Sequence, residues 1–319
     1  MRIDNVDIEA VFGCVPSKAV DALTELTPLV GAEKAESIVR ATGYRSRRVA
    51  REGQDVFDLA LPAVRCAIDG IDPGQIGGIV SVSFSDRTRF PALSARLQHA
   101  IGLGTDTVAY DLSMACSGWI YGLFAAAQLV GLTGKKVLLV DGDVQSAWID
   151  RSDFASLAVM GDGAAATLLS PGNASWEFGF YTDGGGADAL VCRDRIRMDG
   201  FGVFRFVAGP VRRFIASFME KSEILAGHNP VFIPHQANMY MVRQLAESLG
   251  LKDRLAGSGE RYANTGSCSA ALTVADWSAS ALTELTLPCP VLFAGFGAGL
   301  SAGVAATTLG KTRKGMVEA

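Results

Sequence analysis

The stretch DLSMACSG at residues 111–118 places a cysteine, Cys116, where a strand is expected to give way to a helix. Residues 107–110, TVAY, form a short apolar run that predicts a buried strand, and residues 118–130 keep apolar side chains at helical spacing. Cys116 is therefore expected in the first turn of a helix, where free backbone N–H groups and the helix dipole favour a thiolate over a thiol. A small, inert core cysteine is the alternative interpretation.

The composition predicts a soluble, densely packed globular protein. Of the 319 residues, 49% are hydrophobic and only 19% are charged, which excludes general disorder. The net charge of −4 argues against general nucleic-acid binding. The N-terminus does not resemble a signal peptide, and the six cysteines have no short pairing interval. We therefore expect reduced thiols in the cytoplasm, with neither a disulfide framework nor a metal site.

Residues 285–310 carry no charge, which raises the question of a membrane span. Glycines divide this run into two pieces of strand length, 290–294 and 301–307. The pattern therefore predicts two buried strands joined by a tight glycine loop, and no membrane partner is expected.

The two halves of the chain repeat each other in order. Two apolar, strand-like segments recur: 79–83 matches 231–235 at an offset of 152 residues, and 136–140 matches 290–294 at an offset of 154. The segment that ends at a cysteine, 110–116, matches 262–268, again at an offset of 152. Short apolar strands that alternate with helices predict sheets covered on both faces. We therefore divide the chain into two α/β halves, residues 1–170 with the cysteine nucleophile and residues 171–319.

Duplication predicts a functional site at the junction of the halves, because strand ends and helix N-termini from both can converge there. Cys116, His235 and Asn264 all fall at such predicted ends. On residue type alone, a histidine at the end of an apolar strand, such as His235, is more often a hydrogen-bonded core residue, and Asn264 could shape a turn. Cys268, at the position matching Cys116, is a second possible nucleophile, but its flanks lack the Ala-Cys-Ser-Gly pattern and favour a packing role.

Six motifs, spread over nearly the whole chain, carry a family resemblance: TGYRSRRVA at 42–50, DLSMACSG at 111–118, GDGAAA at 161–166, PHQAN at 234–238, YANTGS at 262–267 and GFGAG at 295–299. Through them the chain resembles the β-ketoacyl-acyl carrier protein synthase III family, condensing enzymes of the thiolase superfamily. The resemblance implies an α/β fold in which two thiolase-like halves form a five-layered αβαβα sandwich.

The resemblance also implies a role for each site residue. Cys116 would take an acyl group as a thioester, and His235 and Asn264 would stabilise the enolate formed when a malonyl thioester loses carbon dioxide. The backbone N–H groups of Cys116 and Ala298 would form an oxyanion hole. No cofactor is implied, since the substrates are carried on the phosphopantetheine of acyl carrier protein or coenzyme A. The residues that we expect to bind substrate are Phe296, Phe201 and Phe90.

Three positions depart from the family pattern at the contacts expected for coenzyme A. Ser37, Phe154 and Phe201 stand where a Trp, an Arg and an Asn are typical. These losses favour an acyl donor on a carrier protein, and a specialised lipid or secondary-metabolite pathway.

Carrier proteins are acidic, so docking should use a local cationic patch. Arg205 and Arg243 are the expected docking residues, with Arg212 and Arg213 as further candidates. Tyr240 stands where the family has a docking Arg, and Arg243 lies about one helical turn beyond it. A plain solvated helix face is the alternative interpretation.

Two other functions stay open on the sequence. An acyltransferase could pass the acyl group of Cys116 to an alcohol or amine without decarboxylation, and a noncatalytic chain could serve in a heteromeric condensing complex. The resemblance implies a homodimer, and the loop at 84–90 could cross its subunit boundary. Acyl chain length is not indicated by the sequence.

Overall fold

The computed structural model describes residues 1–277 and 287–319, which form two mixed β-sheets with helices between and outside them. The strands are β1 (Arg2–Ile3), β2 (Val6–Val15), β3 (Ala19–Asp21), β4 (Ser46–Arg48), β5 (Ile76–Val82), β6 (Val108–Leu112), β7 (Lys136–Val144), β8 (Asp162–Pro171), β9 (Trp176–Thr182), β10 (Leu190–Cys192), β11 (Ile196–Met198), β12 (Val231–Pro234), β13 (Cys289–Gly297), β14 (Ser301–Leu309) and β15 (Arg313–Glu318).

The α-helices that the described ranges contain follow the same pattern of alternation with strands. They are α1 (Ala22–Val30), α2 (Ala32–Thr42), α3 (Val56–Ala67), α4 (Leu93–Ala100), α5 (Gly118–Thr133), α6 (Phe154–Val159), α7 (Gly200–Phe206), α8 (Arg212–Lys221), α9 (Met239–Ser248), α10 (Gly259–Tyr262) and α11 (Ser269–Ala275).

The strand order confirms the duplication. The first sheet runs β15-β2-β8-β7-β5-β6 and the second runs β1-β9-β14-β13-β12. In each half a parallel pair is followed by an antiparallel neighbour: β5 and β7 with β8 in the first, β12 and β13 with β14 in the second. Two of the three repeated pairs of segments therefore occupy equivalent strands, β5 with β12 and β7 with β13.

The two sheets exchange edge strands through the chain termini. β1, from the N-terminus, pairs with β9 in the second sheet, and β15, from the C-terminus, pairs with β2 in the first. The exchanged strands β1 and β15 tie the two halves together. The connection from the first sheet to the second runs from β8, which ends at Pro171, to β9, which begins at Trp176. The division of the chain at residues 170 and 171 stays a prediction.

Three apolar cores separate the layers. The central core holds α5 and α11 between the sheets, a second core packs α3 and α4 on the outside of the first sheet, and a third packs α7, α8 and α9 on the outside of the second. The result is the five-layered αβαβα sandwich that the resemblance implies. Close packing depends on small residues in α5, because a Cβ at Gly122 would lie 2.4 Å from a methyl carbon of Leu139.

The uncharged run at 285–310 forms strands where the structure describes it. Its first two positions, 285 and 286, lie outside the described residues, and β13 and β14 pair antiparallel along their full lengths. The predicted pair of strands is confirmed. Among the described residues one helical stretch, Ala115–Thr133, is long and apolar enough to cross a membrane, but it lies in the central layer with half of its length buried.

Two local expectations are wrong. The strand before Cys116 is not buried: β6 is an edge strand, and Val108 is 40% exposed. Its apolar composition does not separate a core strand from an edge strand. In the second half, the segment before Asn264 forms the short helix α10, and Asn264 makes only an isolated bridge with Met160.

The aromatic centre of the fold gives a test of its packing. Phe293 is fully buried, and its ring meets Trp119 edge-on with a centroid distance of 5.0 Å. We expect Phe293→Ala to lower the free energy of unfolding by about 3–5 kcal/mol, because it leaves a cavity between the sheets.

The control is Leu132→Ala. Leu132 is also a large apolar residue, but it is 82% exposed at the end of α5. Its effect should stay within about 0.5 kcal/mol. Urea denaturation followed by circular dichroism measures both variants, and equal losses would contradict the assigned core.

Candidate active site

Cys116 lies in a 3₁₀ turn, Ala115–Ser117, that leads into α5. The turn is strained, because Ala115 has φ +44°, a conformation that residues with a Cβ rarely adopt. The end of β13 passes directly against it: a Cβ at Gly297 would lie 2.8 Å from the Cβ of Cys116. A glycine at 297 is therefore required for the second half to reach the cysteine.

His235 follows β12, and hydrogen bonds fix its backbone and its ring. Its N–H donates to the carbonyl of Ala294 at 2.7 Å, and its ring Nδ1 lies 2.8 Å from the hydroxyl of Ser269. The Ser269 Oγ also accepts the N–H of Gln236 at 3.1 Å, which favours donation of its own hydrogen to Nδ1. Nε2 then carries the ring hydrogen, as an oxyanion donor must.

The carboxamide of Asn264 is oriented by the turn that follows it. Its Oδ1 accepts the N–H of Gly266 at 2.9 Å, and its main-chain N–H donates to Val159 at 2.8 Å. Its Nδ2 makes one long contact, 3.4 Å to the carbonyl of Ala237. The oxygen is thus held by the backbone, and the nitrogen keeps donor capacity for a ligand.

These three side chains line one cavity of about 480 Å³. Residues from both halves contribute to its wall, so the predicted junction site exists as a single space. The apolar part of the wall includes Phe84, Val159, Met160, Leu190, Val191, Ile196, Met198, Val203, Met241 and Phe296. A space of this size can hold a small ligand with an extended chain.

Burial sets the charge states in the cavity. Cys116 is partly exposed, but to the cavity, and burial together with the nearby Asp143 charge raises the pKa of its thiol to about 12. Burial lowers the pKa of His235 to about 4, although a hydrogen bond with the Gly266 backbone opposes this. The expectation of a thiolate is therefore wrong for this state: desolvation outweighs the helix N-terminus. At neutral pH the site holds a thiol and a neutral imidazole.

Asp143 is a buried carboxyl behind the cysteine that the sequence did not single out. One oxygen accepts from the Ser83 hydroxyl and the N–H of Phe84, both at 3.0 Å, and the other accepts from the Ser267 hydroxyl at 3.1 Å. Burial raises the pKa of Asp143 to about 6, although these hydrogen bonds lower it. It ties the loop after β5 to the turn that precedes α11.

The other predicted site residues divide into two groups. Phe296 and Ala298 line the cavity, and the Phe296 ring meets the imidazole of His235 edge-on at 5.5 Å. Phe201 and Phe90 do not line it, since they are 69% and 87% exposed. Their expected placement in the substrate site of this chain is corrected: Phe90 lies in the loop before α4, and Phe201 lies in the first turn of α7, both outside the cavity wall.

The predicted docking arginines are both exposed, Arg205 in the last turn of α7 and Arg243 on α9. Arg205 lies over the Phe201 ring, with its guanidinium carbon 5.8 Å from the centroid, and Arg243 forms an ion pair with Glu260 at 2.7 Å. Tyr240 stacks on Phe204 beside them. Of these two arginines, Arg205 is the one without an acidic partner among the described residues.

Cys268, the second candidate nucleophile, is fully buried and lies outside the cavity wall. Its Sγ donates to the carbonyl of Thr265 at 3.1 Å, and burial raises the pKa of its thiol well above the usual range. A packing role follows. In the described ranges, no three His, Cys, Asp or Glu side chains are grouped as metal ligands would be.

Sequence reasoning missed two further polar residues, Ser269 and Gln145, because their partners are distant along the chain. Ser269 contacts His235 across 34 residues, and Gln145 donates to the carbonyl of Asn264 across 119. One signal was available. Gln145 follows the C-terminal end of β7, and such strand ends meet at the junction.

Comparison with known proteins assigns both halves to one family. Family profiles for 3-oxoacyl-[acyl-carrier-protein] synthase III match residues 110–190, and those for its C-terminal part match residues 219–309. A β-ketoacyl-[acyl-carrier-protein] synthase III of Gloeobacter violaceus is 32% identical over 94% of this chain and 97% of its own length.

Solved structures agree over the whole fold. A 3-oxoacyl-(acyl-carrier protein) synthase from Burkholderia xenovorans superposes with a TM-score of 0.93, at 26% identity, over 100% of this chain and 98% of that one. The priming β-ketosynthase of the R1128 polyketide pathway superposes with a TM-score of 0.87, at 28% identity, over 97% of each chain.

The raised pKa of Cys116 predicts how the thiol reacts with an alkylating agent. Since only the thiolate attacks, the rate with iodoacetamide should rise by about tenfold per pH unit from pH 7 to pH 10 without levelling. Peptide-resolved mass spectrometry, with Cys116→Ser as the blank, measures the rate at this residue alone. A rate that levels below pH 9 would show a thiolate already formed.

Proposed function

We propose a decarboxylative condensation at Cys116 for this chain, which belongs to the 3-oxoacyl-[acyl-carrier-protein] synthase III family of acyl-transferring condensing enzymes. The observation that carries the proposal is the common cavity of Cys116, His235 and Asn264. A thiol there can hold an acyl group, and two neutral N–H donors can bind a developing negative charge without themselves being charged.

In the first step, Sγ of Cys116 attacks the carbonyl carbon of an acyl thioester. The thiol proton leaves as the new bond forms, and it ends on the departing pantetheine sulfur, so that one thioester replaces another. Because burial raises the pKa of the Cys116 thiol to about 12, the proton leaves only as the new bond forms, and the pantetheine sulfur that departs takes it up. The N–H groups of Cys116 and Ala298 would hold the tetrahedral oxyanion.

In the second step, a malonyl thioester loses carbon dioxide and leaves an enolate. The Nε2–H of His235 and the Nδ2–H of Asn264 would bind the enolate oxygen while its carbon attacks the thioester on Cys116. The carbon–sulfur bond breaks, Sγ takes up a proton, and a β-ketoacyl thioester is released. The low pKa of His235 supports this role. The ring is already neutral, so its Nε2–H can donate a hydrogen bond to the enolate oxygen without a prior change in the charge of the ring.

We propose that both substrates arrive on phosphopantetheine and that no cofactor takes part. An acyl donor on a carrier protein fits this surface better than coenzyme A. Ser37 supplies no large ring for stacking, Phe154 supplies no cation, and Phe201 supplies no carboxamide. Carrier delivery favours a specialised lipid or secondary-metabolite pathway. The described cysteines are free thiols, which supports a reducing, cytoplasmic setting.

A homodimer is the assembly that we propose. β6 ends the first sheet, so one edge of its backbone is open to pairing within the described chain. Two copies joined at β6 would bury its exposed apolar residue Val108 and extend the sheet across both subunits. Phe90 is highly exposed in the loop before α4, whose first residue, Leu93, donates its N–H to Asp111 of β6, and in the dimer it could enter the partner's substrate site.

Replacing Asn264 tests the division between the two steps. We expect Asn264→Ala to keep acylation of Cys116 and to slow carbon dioxide release from malonyl-carrier protein by about 10²–10³-fold, since one oxyanion donor is lost. Single-turnover mass spectrometry follows the first step, and trapped radiolabelled carbon dioxide follows the second.

The same assay separates the rival functions. Acylation without carbon dioxide release in the wild type would favour an acyltransferase, and an unlabelled Cys116 would favour a noncatalytic subunit. Equal loss of both steps in Asn264→Ala would contradict the assigned role of the carboxamide.

Arg205, which has no acidic partner among the described residues, predicts carrier specificity. We expect Arg205→Glu to raise KM for malonyl-carrier protein by about two- to tenfold and to leave KM for malonyl-coenzyme A unchanged, since only the carrier presents an acidic surface. Arg243→Glu is the matched control. Its effect should be smaller, because Glu260 already neutralises Arg243. Equal increases for both malonyl donors would place Arg205 at the nucleotide end of the substrate instead.

A further inference from the structure

The carboxamide of Gln145 lies in the cavity wall without a role in the proposed chemistry, whereas that of Asn238, also in the wall, caps α9 by accepting the N–H of Met241. Gln145 follows the end of β7, is 2% exposed and lines the space that contains Cys116. Its Nε2 donates to the carbonyl of Gly161 at 2.9 Å and to that of Asn264 at 2.7 Å. Both contacts need an N–H donor, so the orientation of the amide is fixed and both of its hydrogens are used.

The oxygen of the same amide has no donor. Within residues 1–277 and 287–319, nothing donates a hydrogen bond to Gln145 Oε1, although it is not sealed from the cavity space. A buried amide oxygen loses free energy when it leaves water without a new partner. A ligand with a hydrogen-bond donor at this point would restore the lost interaction.

The cavity wall near Gln145 suits an apolar acyl chain. Met160 precedes the carbonyl that Nε2 binds, and Phe84 contacts Asp143, two residues before Gln145. Both Met160 and Phe84 line the cavity. The donor is therefore a group on an otherwise apolar chain, and a neutral hydroxyl fits better than an ammonium, because burial of a charged group costs far more free energy than burial of a hydrogen-bonded hydroxyl.

We propose that Gln145 selects acyl groups that carry a hydroxyl, whose hydrogen is donated to Oε1. The inference rests on the proposed function, since the acyl chain must be attached to Cys116 for its hydroxyl to reach this wall. His235 and Asn264 act on the malonyl substrate, whereas Gln145 acts on the first substrate. The substrate class is thus a hydroxyacyl thioester with an apolar backbone.

Matched thioesters test the proposal on the wild-type enzyme. Acylation of Cys116 is followed by intact mass for straight-chain acyl donors and for the same chains hydroxylated at carbon 2, 3, 4 or 5. For one position, kcat/KM should exceed that of the unsubstituted chain by about tenfold or more, since the analogue without the hydroxyl leaves Oε1 unpaired.

Two variants then separate recognition from a structural role. Gln145→Leu should bring the ratio between the two matched donors to about one or below, as the acceptor is gone. Gln98→Leu is the control, because Gln98 Nε2 also donates to two backbone carbonyls, Leu103 at 2.6 Å and Gly104 at 3.1 Å, outside the cavity. That variant should keep the wild-type ratio.

The contrary results are distinct. If no hydroxylated donor is preferred by the wild type, or if Gln145→Leu slows both donors equally and keeps their ratio, Gln145 only braces the Asn264 backbone and the inference is wrong. If no donor labels Cys116 at all, the proposed function fails together with the inference. Labelling without a hydroxyl preference overturns the inference alone.

Discussion

The site depends on the direct backbone contact between the turn that carries Cys116 and the end of β13. Side chains are excluded from this contact, since a Cβ at Gly295 would lie 2.9 Å from the Cα of Ser117 and one at Gly297 would meet Cys116. The Ser117 and Ser301 hydroxyls join at 2.8 Å, and Ser301 also donates to the carbonyl of Ala298 at 2.6 Å. The two halves are held in register at the reacting sulfur, so a duplicated fold becomes one site.

The same burial that builds the cavity determines how it can react. Taking the thiol and the imidazole out of water favours their neutral forms, with pKa values of about 12 and about 4. The resting site therefore holds a thiol, which reacts more slowly with electrophiles than a thiolate does, and proton transfer must accompany acyl transfer. For the enolate, neutral donors that the protein holds in a buried cavity bind a developing charge more strongly than solvent would.

Much of the molecule could be predicted from the sequence, and the failures share a physical cause. The repeat offsets predicted which strands are equivalent, and the motifs identified Cys116, His235 and Asn264, which line one cavity in the structure. The exposed edge β6 and the neutral thiol were missed because composition and helix position are local, whereas exposure and desolvation depend on what packs against them. Gln145 was missed because its partners are distant in sequence and its significance lies in an oxygen with no donor among the described residues.

Condensation at Cys116 can be followed in the mass of the intact protein through one catalytic cycle. After exposure to an acyl-carrier donor, we expect a gain of one acyl group, located to the peptide of Cys116, and the return of the original mass when malonyl-carrier protein is added. An acyl group on another of the cysteines, or one that stays on Cys116 in the presence of malonyl-carrier protein, would contradict it.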